Sequence, residues 1–283
     1  MLTCVVNVSE GRDGTALGAL AAACGTALLD VHRDPDHNRG VLTLGAIDPE
    51  AVEAAVFALV EAAVDRLDLS GHAGVHPRLG VADVVPFVPL LPGADLDALG
   101  AVTLDEATAA RDRLAAAAAS RLELPCFRYG PLEGGGERTL PEVRRRAFVD
   151  LLPDVGPPAP HPSAGASCVG ARRVLCAYNL VLADADLATA RAIARSLRTA
   201  EVRALAFAVS GGAQVSCNLV APWRVGPLEV YRAVQAQASV AACELVGLLP
   251  HAVAATVPPG LRVRLDCPLE RTLEARLDGA TAG

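Results

Sequence analysis

The sequence predicts an α+β protein, and three observations predict it. Apolar positions switch repeatedly between a period near two and a period near 3.6, the elements so defined follow the order βαββαβ, and that order occurs twice along 283 residues. A chain of this length with 52% hydrophobic residues can bury a sizeable core and is long for one compact unit. Two domains are therefore expected, residues 1–165 and 166–283.

Leu2 to Val8 alternates enough to be a strand, and the glycine-rich turn Gly11-Arg12-Asp13-Gly14 leads into a short helix over Thr15 to Cys24. Ala27 to His32 and Gly40 to Ile47 read as strands flanking a polar loop. From Pro49 onward, Val52, Val56, Leu59, Val60, Ala63 and Leu67 recur at helical spacing, with proline and glutamate in the first turn where a helix start favours them. Val81 to Leu90 is a buried strand, Leu104 to Leu122 a helix and Pro125 to Tyr129 a further short strand.

Segment 131–165 contains Gly134-Gly135-Gly136, a charged helix around Pro141 to Phe148, and PDVGPPAPHPSAG, with five prolines between Pro153 and Pro162. Such a composition excludes helix and central strand and predicts a connector with stiff, extended backbone. Beyond it, Val174 to Leu182 is a strand, Leu187 to Leu197 a helix, and Val202 to Val209 and Gln214 to Leu219 are strands. Leu228 to Ala242 reads as a helix, Leu245 to Leu249 as a last strand, and Val257 to Gly283 as a strand with a frayed tail. The repeated order is the split βαβ of ferredoxin-like folds, with helices on one face of each sheet. Two such units joined by a proline-rich crossing predict a ligand cleft between them.

Composition removes several functions. Aromatic residues make up 3% of the chain, too few for a base-stacking platform, and a net charge of −7 repels a phosphate backbone. No nucleic-acid partner is expected. All 25 basic residues are arginine, which excludes Schiff-base lysine chemistry and a phosphate-loop lysine. Codon bias accounts for this absence as readily as function does, yet any charged substrate gripped by a cation here meets a guanidinium fork. The eight cysteines form no C-x-x-C pair and sit mostly in apolar runs, as reduced core thiols do. No basic leader with an apolar stretch and no run of about 18 apolar residues is present, so a soluble cytoplasmic protein without a membrane partner is expected.

Four of the six histidines fall in two short loops. The first loop, His32-Arg33-Asp34-Pro35-Asp36-His37-Asn38-Arg39, carries nitrogen and oxygen donors that could hold a divalent ion, although Asp-Pro-Asp is also an ordinary tight turn. The second, His72-Ala73-Gly74-Val75-His76-Pro77-Arg78-Leu79-Gly80, presents His76 on backbone that Pro77 restricts to extended conformations. An imidazole with an ordinary pKa near 6.5 can take and return a proton at neutral pH, and it can equally cap a turn. Gly165-Ala166-Ser167-Cys168-Val169-Gly170 has phosphate-loop glycine spacing without the lysine or a preceding strand. Arg39, Arg78, Arg172 and Arg173 are either carboxylate forks or solvated surface, and Gln214 and Asn218 are weaker candidates.

Taken together, VVNVSEGRD, LLDVHRDPDHNRGVLTL, HAGVHPRLGVADVVPFVP, GASCVGARRVLCAYN, AQVSCNL and ELVGLLP resemble the formiminotransferase domain, the glutamate formimidoyltransferase family of histidine breakdown. The resemblance implies transfer of a formimino group between N-formimino-L-glutamate and N5 of tetrahydrofolate, which is a co-substrate, with no metal expected. It implies His76 as general acid and base and a folate-binding stretch over Gly156, Pro157, Pro158, Ala159, Pro160, His161, Pro162, Ser163, Ala164 and Gly165. It also implies two α/β subdomains with the ligand between them, in a homodimer. The carboxylates of glutamate and of the folate tail call for bidentate arginines, for which Arg39 and Arg78 are the candidates. The family often reads H-K-G-E-H-P-R, whereas Ala73 and Val75 stand here. That departure leaves open formyl transfer from 5-formyl-tetrahydrofolate or a different amine acceptor. A metal-dependent hydrolase and a non-catalytic folate-binding protein are the readings of another class. At 283 residues a stand-alone domain without a cyclodeaminase part is expected.

Overall fold

Alternating apolar residues at the start of the chain form β1 (Leu2–Val8), and Asp13 then caps α1 (Gly14–Ala23) by accepting from the backbone N–H groups of Thr15 and Ala16. The computed structural model describes residues 1–74, 77–91 and 93–281. The chain continues through β2 (Leu28–Asp34), β3 (Arg39–Ala46), α2 (Pro49–Arg66) and β4 (Ala82–Pro89). Next come α3 (Leu96–Ala101), α4 (Asp105–Leu122), β5 (Cys126–Pro131), β6 (Glu137–Arg138), α5 (Leu140–Arg146) and β7 (Ser167–Ala171). The later elements are β8 (Cys176–Leu182), α6 (Leu187–Leu197), β9 (Val202–Val209), β10 (Gly212–Leu219), α7 (Pro227–Gln235), β11 (Val240–Val246), α8 (His251–Ala255) and α9 (Leu273–Thr281). They divide into two units, residues 1–90 with 103–172 and residues 91–102 with 173–283. Among the described residues no helix is long and apolar enough to cross a membrane.

In the first unit the strands run in the order β2-β3-β1-β4-β7-β5-β6. The first four pair antiparallel in the arrangement a ferredoxin-like βαββαβ unit requires, whereas β7 lies parallel to both β4 and β5. The core is built from Leu2, Cys4, Val6 and Val8 of β1, Leu42 and Leu44 of β3, and the α2 stripe Val52, Val56, Leu59, Val60 and Ala63. Ala107, Ala110, Ala115 and Ala118 give α4 a face of small residues, so it lies close to the sheet. Each fully buried leucine contributes about 1.5–3 kcal/mol by leaving water.

Residues 165–170, whose glycines resemble a phosphate loop, lead into and form β7, an entirely buried central strand. Its Gly170 is required by packing, because a Cβ there would lie 2.1 Å from Cζ of Tyr129. The proline segment also departs from an extended connector. Cys126 N–H donates to Val155 O at 3.0 Å, and His161 and Gly165 exchange both backbone hydrogen bonds, at 2.8 and 3.0 Å. Gly156 (φ +92°) and Gly165 (φ +71°) supply the left-handed turns that fold it back onto the first unit.

The second unit repeats the topology in four antiparallel strands, β11-β8-β10-β9. Asp186 caps α6, whose Ala190, Ile193, Ala194 and Leu197 are buried. The expected helix over 228–242 stops at Gln235, because the buried stripe Leu228, Val230, Tyr231 and Val234 ends there. The last strand correspondingly begins at Val240, paired with Leu182, and not at Leu245. Among the described residues, 257–281 contain no strand. Two short 3-10 turns and α9 carry Leu265, Cys267, Leu273 and Leu277 into the core, and Arg271 ties Asp266 (2.6 Å) to Leu245 O (2.8 Å).

Candidate functional site

The two histidine loops and the SEGRD turn converge at one end of the first sheet, where β1 ends and β3 and β4 begin. Asn38 joins them. Its backbone takes a left-handed φ of +46°, which asparagine tolerates, and its side chain accepts from Gly11 N–H at 2.9 Å and donates to Ala73 O at 3.2 Å. Glycine is obligatory at two contacts. A Cβ on Gly11 would lie 2.3 Å from Asp34 O, and one on Gly74 would lie 2.4 Å from His37 O. Ser9 pins the far side of the second loop, its hydroxyl donating to Gly80 O at 2.8 Å and its N–H to Val81 O at 2.8 Å.

At the centre of this end lies Asp83, 1% exposed. One carboxylate oxygen accepts from Leu79 N–H at 2.7 Å, and the other accepts from Arg144 at 2.6 Å and lies 3.3 Å from Arg39 Nη1. Arg144 also donates to Pro77 O at 3.0 Å, so one guanidinium and one carboxylate hold both ends of the 77–79 segment. Arg39 donates through Nε and Nη2 to Asn7 Oδ1, at 3.0 and 2.8 Å. Burial pushes Arg39 down to about 10; Asp83 opposes the shift, and Arg144 and Arg78 add to it. It remains cationic at neutral pH. Burial also opposes the charge of Arg144, and the Asp83 carboxylate overcomes that, raising it above its ordinary value.

His72 is half-buried beside Arg78. Its Nε2 lies 3.1 Å from Asn38 O, and Arg78 Nη1 contacts both ring nitrogens. Burial first, and then the Arg78 guanidinium, hold it below the ordinary imidazole value, so it is neutral where it latches the loops together. In the first loop, Asp34 accepts from His37 N–H at 2.8 Å, and the buried His37 ring stands 3.9 Å from the same carboxylate. The tight-turn account therefore describes these side chains. Among the described residues no group of three or more His, Cys, Asp or Glu side chains is placed to hold a metal ion.

The structure brings some of the sequence candidates together. Arg39 and Arg78 lie in the cluster, and the C-terminal end of the proline segment flanks it. Leu69 N–H donates to Ser163 O at 2.8 Å, Val81 N–H to Ala164 O at 2.9 Å, and Gly80 pairs with Gly165. His161 turns inward on its own loop, its Nδ1 accepting from Ala164 N–H at 3.0 Å. Gly156 to Pro160 are less closely tied to the cluster. Arg172 and Arg173 lie elsewhere, their N–H groups donating to Phe87 O and Val102 O. His76 and Val75 lie outside the described residues. Sequence reasoning did not single out Asp83, Arg144, Asn7 or Asn38. Asp83 and Asn7 lay inside quoted motif stretches, whereas Arg144 was marked only as part of a charged helix.

The fold is thus that of an α+β protein of two ferredoxin-like units, the first of which gathers Arg39 and Arg144 on one buried carboxylate with Arg78 close by. The family model for the formiminotransferase domain, N-terminal subdomain, matches residues 1–172. The chain is 33% identical to a glutamate formimidoyltransferase of Thermoplasma acidophilum, over 89% of this chain and 88% of that protein. It is 30% identical to a glutamate formimidoyltransferase of Streptococcus pyogenes, over 88% and 89%. It is 34% identical over 64% of its length to a formimidoyltransferase-cyclodeaminase of Sus scrofa, covering 34% of that longer protein. The chain belongs to the formiminotransferase family.

Proposed function

We propose that this chain is a glutamate formimidoyltransferase that moves a formimino group between N-formimino-L-glutamate and N5 of tetrahydrofolate. The observation that carries the reading is the arginine cluster about Asp83, beside the Ser163–Gly165 end of the proline segment. In a protein of net charge −7, that local excess of cations suits the carboxylates of both substrates. Arg39 and Arg78 take the carboxylate of formimino-glutamate, and the stretch Gly156–Gly165 takes the folate.

Tetrahydrofolate supplies N5, which displaces the glutamate amine from the amidine carbon. His76 accepts the proton from N5 and returns it to the departing amine nitrogen. Arg144 and Asp83 hold Pro77 and Leu79, which follow the proposed base in sequence. Pre-positioning both substrates removes much of the entropic barrier to a bimolecular exchange. The reading includes a homodimer, which sedimentation would detect, and a cytoplasmic setting, in keeping with eight free cysteines.

The test is turnover of formimino-glutamate by the purified full chain with tetrahydrofolate. Free glutamate should appear in step with the folate product. Folate binding without glutamate release would transfer the case to a different acceptor or to a binding role.

A further inference from the structure

A strand at the margin of a sheet offers a row of backbone donors and acceptors to any other strand, and proteins blunt such margins with bulges, charges, short strands or a covering segment. Three of the four margins here are blunted. β2 has a bulge between Leu28 and Asp30 and carries Arg33 and Asp34, and β6 is two residues long. β11 has a bulge between Val240 and Ala242, and Leu245 N–H donates to Asp266 at 2.8 Å while Arg271 donates to Leu245 O and Gly247 O at 2.8 and 3.2 Å. β9 differs: it pairs with β10 over eight residues without a register shift, and after Arg203 it reads ALAFAV, without charge or proline.

The start of that margin is occupied. Val202 N–H donates to Thr199 Oγ1 at 3.2 Å, Val202 O accepts from Thr199 N–H at 3.0 Å, and Arg198 Nε donates to Ala204 O at 2.9 Å. The alternation that turns these groups away from β10 turns the N–H and C=O of Ala206 and Ala208 the same way. Ala208 is exposed, and Leu205, on the other face, is 51% exposed.

We propose that β9 pairs with β9 of a second copy of this chain, antiparallel about a two-fold axis at Ala206, so that two four-stranded sheets become one continuous sheet. The proposal rests on the homodimer of the reading above and deepens it by naming the surface. In this register Ala206 faces Ala206 and Ala204 faces Ala208, so the donors of each copy meet the acceptors of the other. The two Arg203 side chains fall six residues apart along the ladder, about 20 Å. The helix over this margin fits the same symmetry. Because α6 packs on β9 and β10, a strand spacing of about 4.8 Å sets the two α6 axes about 10 Å apart, a helix-packing distance. Exposed Asp184 and Asp186 stand at the start of α6, and exposed Arg191, Arg195 and Arg198 lie along and just beyond its later half. The antiparallel arrangement therefore lays the acidic start of each helix beside the basic end of the other, which favours a second copy over an unrelated strand.

The test is sedimentation of the full chain over a range of concentrations, with hydrogen exchange measured across residues 203–209. The parent should dimerise, and the amides of Ala206 and Ala208 should exchange more slowly as the dimer forms. Ala206→Pro removes a donor that β10 does not use, and symmetry removes it twice, so the dimer dissociation constant should rise about tenfold or more. Leu205→Lys, which places a charge at the exposed margin, should shift it in the same direction; it carries the test if the proline variant does not fold. A dimeric parent whose Ala206 and Ala208 amides exchange alike at all concentrations, or variants that dimerise as the parent does, overturns the β9 assignment alone. A parent that stays monomeric overturns the homodimer reading and this inference with it.

Discussion

Both sheets place the last strand of a βαββαβ unit beside its first, giving β2-β3-β1-β4 in one and β9-β10-β8-β11 in the other. The first extends past β4 with β7, β5 and β6, while the second stops at β11. Their charge is distributed differently. In the first unit arginines and a buried aspartate crowd the end of the sheet, on loops that glycine and Asn38 bring within hydrogen-bonding reach. In the second the notable polar groups lie within the strands, in register across the sheet face. One topology therefore carries two kinds of polar site, and the chemistry follows from what the strand ends and faces carry.

If the first unit holds the chemistry, His76→Ala should lower turnover by about 10²–10⁴-fold at unchanged melting temperature, while His251→Ala in the second unit should leave it intact. Steady-state kinetics on the two variants breaks the contrast if they behave alike. Asp83→Asn should cost about 3–5 kcal/mol in urea unfolding, because it leaves buried guanidiniums without their carboxylate. Asp266→Asn in the second unit, where the carboxylate is 31% exposed and pairs with Arg271, should cost about 1–2 kcal/mol. Equal losses would make the first cluster an ordinary ion pair.

The His72 latch adds a pH test. Its folded value lies below the ordinary imidazole value of 6.5, so the stability it contributes is present above 6.5 and lost as pH falls through the folded value. The melting temperature of the wild type should therefore fall more steeply below pH 6.5 than that of His72→Gln. Identical slopes would remove His72 from the latch. The smallest effect belongs to Arg113→Ala, whose guanidinium is 60% exposed opposite Glu53 and should contribute only about 0.2–1 kcal/mol.

Much of the architecture was legible in sequence because its periodicities are long and clean. The α2 stripe, the Leu187–Leu197 helix and the Val202–Val209 strand are read from residues alone. Five residues of Ser167–Ala171, small and glycine-containing, do not declare a central strand, because parallel partners lie far away in the chain. The 235–240 boundary was obscured because alanine and valine suit both helix and strand. The histidine loops stood out by composition, whereas the Asp83–Arg144 bond joins residues 61 apart, and no local pattern announces it.

The position of β7 also sets a timetable. β4 and β5 are made early, yet their shared neighbour is Ser167–Ala171, so a nascent chain cannot complete the first sheet until those residues have left the ribosome. The backbone bonds from Val81 to Ala164 and from Ala166 to Leu79 wait for the same moment. Until then the loop that carries His76 lacks its flanking support. In vectorial synthesis, assembly of the candidate site is thus a late event in the making of the first unit, coincident with insertion of its last strand.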